Sequence, residues 1–169
     1  MRTIAIPQLY CGASGKKGAY NRQEVGLARA FAALGCRAVV LYPDPDAGRL
    51  VSALAQAYGV KESQVFVGNG SDEVLAFAFR AFCGAGQPVA FADVTYGFYK
   101  SQAALFDLDV KIIPLREDFT LHVDDYMDFP GTIVIANPNA PTGIAVPRND
   151  IQRLLEANPD RVVIVDEAY

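Results

Sequence analysis

The 169 residues suffice for about one domain with a real core, and 51% hydrophobic against 20% charged side chains excludes a disordered chain. A net charge of −4 argues against nucleic acid as the main partner. Cys11, Cys36 and Cys83 lack CxxC spacing and indicate neither a disulfide framework nor a zinc site; a histidine-based metal site or a Ser-His-Asp triad would have to rest on the single histidine, His122, whose acidic, loop-like surroundings argue against both.

From its first residues, Met1-Arg2-Thr3, the chain shows no cleavable apolar segment, and no run approaches membrane-spanning length, so the cytoplasm is the expected compartment. Residues 1–45 read as strand, Gly-rich loop, helix, strand. Residues 3–6 are β-like, and Cys11-Gly-Ala-Ser-Gly-Lys-Lys-Gly18 is a basic loop without Walker A spacing, compatible with an anion or with plain solvation. Asn21 with Glu24 forms a capping-box signature ahead of a helix that Gly35 stops, and 37–42 is the next strand. Tyr42-Pro-Asp-Pro-Asp46 is a break, followed by a helix over 47–58 that Gly59 ends.

Strand and helix then alternate: strand 64–67, helix 71–82, strand 88–91, a helix opened by Thr95-Tyr-Gly97 and reaching 106, and strands 110–114 and 132–136. A helix over 149–157, capped by Asn149 and Gln152 with Ile151, Leu154 and Leu155 facing inward, and a strand over 162–165 complete the series. Apolar strands between amphipathic helices predict an α/β fold, three αβα layers around a mostly parallel sheet, in which ligands sit at the carboxyl ends of strands.

Four strand ends carry chemistry. Gly68-Asn-Gly-Ser-Asp-Glu73 makes a glycine turn into a helix start, where unpaired amides and the positive dipole end offer an anion seat; an ordinary capped turn has the same pattern. Asp93-Val-Thr-Tyr96-Gly97 brings an aromatic face, Asn137-Pro-Asn-Ala-Pro-Thr-Gly143 an amide-bearing turn, and Asp166-Glu-Ala-Tyr169 a carboxylate and a phenol. Each tyrosine alone fits an amphipathic side chain at the core's edge, and Asp166 alone fits an N-cap. Together the set suits a flat, phosphorylated aromatic cofactor.

In this order, these motifs resemble those of the fold-type I pyridoxal-phosphate aminotransferases, nearest the histidinol-phosphate subgroup, over residues 42–169; Tyr42-Pro-Asp-Pro-Asp46 and the helix ending at Tyr58-Gly-Val60 belong to the same likeness. The resemblance implies that 42–169 is part of the large, cofactor-binding domain and that the cofactor is pyridoxal 5'-phosphate. It implies Ser71 and Asp72 at the cofactor phosphate, Tyr96 stacked on the pyridine ring, Asp166 paired with the ring nitrogen and Tyr169 bonded to the phenolic oxygen. Tyr42 is implied to reach the phosphate site of the second subunit of a homodimer. The implied substrates are a small amino acid or amino-alcohol phosphate together with glutamate and 2-oxoglutarate, with no nucleic-acid or membrane partner.

Three features depart from that pattern. The family's asparagine before Pro-Thr-Gly is Ala140 here, leaving Asn139 or Asn137 for the phenolic-oxygen contact. No lysine stands in the context of the family's cofactor-bonding lysine, which lies beyond the Asp-x-x-Tyr segment, so the sequence reads as the front portion of an enzyme, inactive alone. Residues 1–41 resemble instead the opening β-loop-α-β of a GT-B glycosyltransferase, which makes a nucleotide-sugar-binding piece the second reading and a non-catalytic phosphate- or cofactor-binding module the third. Open sheet edges and helix faces at Phe77 and Phe79 without cover predict self-association.

Overall fold

The computed structural model describes residues 3–7, 37–41, 44, 46–84 and 86–168. The loop 11–18, the helix expected from Asn21, Tyr42 and Tyr169 lie outside them. The chain divides into two compact units between Val67 and Gly68, within the stretch that carries the aminotransferase likeness.

In the first unit, strands β1 (Thr3–Pro7) and β2 (Arg37–Leu41) pair in parallel, from Thr3 opposite Arg37 to Pro7 opposite Leu41. Both were legible as short β-branched and apolar runs. Helix α1 (Gly48–Tyr58) starts with the Gly48 amide donating to Asp44 Oδ2 at 2.9 Å. It ends at Gly59, whose φ of +66° suits glycine, while the Val60 amide returns to the Ala55 carbonyl at 3.0 Å.

The expected strand over 64–67 does not form. Glu62–Gln64 is a single 3-10 turn, closed by the Lys61 amide donating to Gln64 Oε1 at 3.0 Å, and no described strand pairs with Val65, Phe66 or Val67. A β-like run without a neighbouring strand gains no ladder, and the local side-chain bond decides.

The second unit is built on a four-stranded parallel sheet. Its strands are β3 (Val89–Ala92), β4 (Val110–Ile113), β5 (Thr132–Ala136) and β6 (Val163–Asp166), in the order β4-β3-β5-β6. Helices α2 (Ser71–Phe82), α3 (Phe98–Leu105) and α4 (Arg148–Ala157) cover it. Alternating strand side chains separate two cores. Val89, Phe91, Val134 and Ala136 pack with Leu75 and Phe79 of α2 and Tyr99 and Ala103 of α3. Ala90, Ile133 and Ile135 pack on the other face with Tyr126, Phe129, Val146 and Leu154 of α4. Central strands buried on both faces, with helices on each side, make the three αβα layers of the expected fold.

Local details differ from the expectations. Helix α4 starts at Arg148, one residue early, because Pro147 with φ −59° already sits as its cap; Gln152 then donates to Glu156 Oε1 at 2.7 Å, and no Asn149 box forms. Leu154 is fully buried but Leu155 points outward, 45% exposed. Phe79, expected to lack cover, is sealed by Tyr99, with ring centroids 6.1 Å apart.

Two positions hold the sheet's lower end. A Cβ on Gly131 would lie 1.9 Å from the Pro88 carbonyl oxygen, so only glycine lets β5 run beside β3 there. Arg161 is buried and donates through Nη1 to the carbonyls of Tyr126, Met127 and Phe129 and through Nη2 to that of Leu154, at 2.7–3.2 Å. It thereby ties the 3-10 turn Val123–Tyr126 to the last turn of α4.

Candidate active site

Parallel strands place their carboxyl ends on one rim. Ala92 lies opposite Ile113, and Ala136 opposite Asp166. The Asn137 amide donates to the Asp166 carbonyl at 2.8 Å, so the Pro-rich turn leaves the sheet directly beside that aspartate. The glycine turn reaches the rim as the opening of α2 rather than from a sheet strand.

At this opening Gly70 has φ +84°, a conformation that glycine adopts without cost, and no atom lies within 4 Å of where a Cβ would stand, so the backbone rather than crowding calls for glycine. The first intrahelical bond of α2 is Val74 N–H to the Gly70 carbonyl, which leaves the amides of Ser71, Asp72 and Glu73 outside the ladder. Glu73 folds back, its Oε2 accepting the Asn69 amide at 2.6 Å, and holds the turn shut.

The loop after β3 is fixed by Asp93, whose Oδ1 accepts the amides of Val94 at 2.8 Å and Leu115 at 3.0 Å. It delivers Tyr96, half-buried, with its hydroxyl donating to Asp72 Oδ1 at 2.9 Å. Tyr96 meets the edge of Tyr99, centroids 5.8 Å apart and planes at 90°, and Tyr99 donates to Asp166 Oδ2 at 2.6 Å. One string of contacts therefore runs from Asp72 through Tyr96 and Tyr99 to Asp166. Three residues singled out in the sequence are brought together, and Ser71 stands next to the first of them.

The asparagines have structural partners. Asn137 Oδ1 accepts the Val146 amide at 2.8 Å. Asn139 is buried, and its Nδ2 donates to the Val94 carbonyl at 2.9 Å and to Thr142 Oγ1 at 3.2 Å, binding the Pro-rich turn to the loop that carries Tyr96. Sequence reasoning passed over Tyr99. Its signal was a second phenol three residues after Tyr96, just inside α3.

Among the described residues no histidine, cysteine and carboxylate cluster is able to hold a metal. His122 lines a separate groove of about 500 Å³, where Asp124 and Asp150 are already paired with Arg153 at 2.6 and 3.0 Å. No helix among the described residues is long and apolar enough to cross a membrane.

A family model described as aminotransferase class I and II matches residues 17–169, reaching N-terminal to residue 42. Histidinol-phosphate aminotransferase of Marinomonas sp. (strain MWYL1) is 56% identical over 131 residues, 76% of this chain and 37% of that protein. The enzyme of that name from Clostridium acetobutylicum is 50% identical over 129 residues, again 76% of this chain and 37% of that protein. The chain thus spans 37% of the length of these curated relatives. Among solved structures, histidinol-phosphate aminotransferase from Sinorhizobium meliloti in complex with pyridoxal-5'-phosphate superposes with a TM-score of 0.69 at 23% identity, over 88% of this chain and 41% of that one. L-threonine-O-3-phosphate decarboxylase from Porphyromonas gingivalis gives a TM-score of 0.63 at 30% identity, over 76% of this chain and 38% of that one.

Proposed function

Since this chain belongs to the class I and II aminotransferase family, we propose that its Gly68–Tyr169 unit seats pyridoxal 5'-phosphate for amino transfer between glutamate or 2-oxoglutarate and histidinol phosphate. The observation that carries this is the single string Asp72–Tyr96–Tyr99–Asp166. A phosphate group needs converging donors, and the amides of residues 71–73 with the Ser71 hydroxyl provide them at the positive end of α2. A pyridine ring needs a flat face, which Tyr96 offers. Its nitrogen needs an acceptor, and Asp166 keeps Oδ1 without a hydrogen bond among the described residues while Oδ2 is held by Tyr99. These groups fit the cofactor.

When bound, the cofactor supplies a sink for the electrons left as the substrate Cα loses its proton. The chain's own residues bind and orient. Asp166 favours a proton on the ring nitrogen by charge, Tyr96 fixes the ring plane, and the α2 amides anchor the far end. Asn139 secures the loop beneath Tyr96, and its contact with the phenolic oxygen requires the Thr142 bond to be exchanged. Tyr169 at the phenolic oxygen and Tyr42 across a cytoplasmic homodimer complete the assignment. Lys100 Nζ donates to the Asp93 carbonyl at 2.9 Å and Lys111 Nζ lies 5.9 Å from the Phe129 ring centroid, so neither is assigned as the lysine that bonds the cofactor.

Titration of the 169-residue chain with pyridoxal 5'-phosphate, read as induced circular dichroism of the cofactor, tests this. The expected result is saturable binding, weakened about tenfold by Asp166→Ala, the equivalent of one charge-assisted hydrogen bond. No induced signal, or an Asp166→Ala variant that binds unchanged, contradicts it.

A further inference from the structure

We propose that Tyr99 is a positioning residue that aims the Asp166 carboxylate at the cofactor's ring nitrogen. This rests on the assignment of Asp166 above. Tyr99 is fully buried in the first turn of α3, with Phe79 on one side at 6.1 Å, Phe91 on another at 5.9 Å, and the Tyr96 ring meeting it perpendicularly at 5.8 Å. A ring enclosed by these aromatics has little room to swing, so its hydroxyl is a fixed point.

Asp166 is the opposite case. It is the last residue of β6, outermost on its side among the described strands, and is half-buried. A short side chain there is free to sample rotamers unless something holds it. The 2.6 Å bond from Tyr99 lies in the range of a hydroxyl donating to a carboxylate, short and directional. With Oδ2 clamped, the orientation of the carboxylate and the position of Oδ1 are set. The same phenol ring also underlies Tyr96, so one buried side chain sets both the acid at the nitrogen and the ring that stacks on the cofactor face.

A phenol that merely satisfies its hydroxyl predicts a different outcome from one that aims an acid, because only the second acts through the ring nitrogen. The experiment measures the dissociation constants of pyridoxal 5'-phosphate and of its 1-deaza analogue, with CH in place of the ring nitrogen, for the 169-residue chain and for Tyr99→Phe. The expected result is that the parent chain prefers the nitrogen-bearing ligand and that Tyr99→Phe lowers this preference about threefold to tenfold while leaving the affinity for the carbon analogue unchanged. Equal weakening of both ligands, or a preference retained in full, overturns the proposal while the assignment of Asp166 stands. A parent chain that binds neither ligand, or shows no preference, overturns the assignment and the proposal with it. If Tyr99→Phe loses its cooperative unfolding transition, 3-fluorotyrosine at position 99 keeps the ring and strengthens the donor; an unchanged preference ratio there also overturns the proposal.

Discussion

The Tyr96 hydroxyl donates to Asp72 Oδ1 at 2.9 Å, joining the loop after β3 to the first turn of α2 across 24 residues of sequence. Asp72 is exposed and Tyr96 half-buried, so this bond contributes modestly to stability, on the order of 1 kcal/mol. Its larger consequence is geometric, since it sets the distance between the open helix end and the aromatic face.

Tyr96 therefore separates two effects. Tyr96→Phe keeps the ring and loses the hydroxyl, and pyridoxal 5'-phosphate affinity is expected to fall no more than about threefold, matching roughly 0.5 kcal/mol. Tyr96→Ala also removes the stacking face, with a further loss of about threefold to tenfold. Parallel titrations check the order, and an alanine variant no weaker than the phenylalanine variant would refute the stacking role.

Arg161 is expected to matter to stability well away from the rim. Replacing it with methionine strands four carbonyl acceptors that share one guanidinium and is expected to cost on the order of 3 kcal/mol. Arg161→Lys should recover little, because an ammonium lacks the planar fork that reaches both carbonyl groups of the 3-10 turn and the end of α4. Urea unfolding distinguishes these outcomes; a loss below about 1 kcal/mol for Arg161→Met would count against the arrangement.

Gly131 and Gly70 make a contrasting pair. Gly131→Ala drives a methyl group to 1.9 Å from the Pro88 oxygen and 2.9 Å from the Phe129 ring, and is expected to cost about 3 kcal/mol, the upper end of ordinary overpacking. Gly70→Ala meets no atom but must hold φ +84° with ψ 171°, a region essentially confined to glycine, at about 1–3 kcal/mol. Thermal unfolding should rank Gly131→Ala as the more damaging.

How much of this was readable in advance follows from where each signal resides. Helix α2 over 71–82 and strand β5 over 132–136 were fully legible, because a glycine turn, acidic first-turn residues and a β-branched run act locally. The strand read at 64–67 failed because β structure is a property of neighbours, and Val65–Val67 has none among the described strands. Leu155 reads as inward because Leu154 and Leu155, three and four residues after Ile151, flank it on the helical wheel, and only packing chose between them. The bonds made by Arg161 and Tyr99 were invisible because their partners lie 7 to 67 residues away in sequence and no periodicity marks such a bond. At the rim, the residue types of Ser71, Asp72, Tyr96 and Asp166 were legible, but the tie through Tyr99 was not.

The buried phenol of Tyr126 makes the fold sensitive to alkali. Burial, with Asp125 and Asp93 adding negative charge, pushes its pKa above the ordinary 10.0, and burial raises the Cys83 thiol above 9.0 in the same sense. The unfolded chain releases these protons first, so stability holds below the ordinary values and is lost as pH rises past them. The Tyr126 hydroxyl has no hydrogen-bond partner among the described residues. Tyr126→Phe should thus be neutral or stabilising by up to about 1 kcal/mol at neutral pH and should flatten the alkaline limb. Urea unfolding at several pH values checks both parts; a large loss at pH 7 would reveal a bond to the hydroxyl.

Hydrogen exchange of the 169-residue chain with and without pyridoxal 5'-phosphate locates the ligand without any enzymatic readout. Slower exchange is expected at the amides of residues 71–73, outside the α2 ladder, and at 94–97 around Tyr96, with residues 3–7 and 37–41 unchanged. Protection confined to other segments, or none at saturating ligand, would contradict a cofactor seat at the opening of α2.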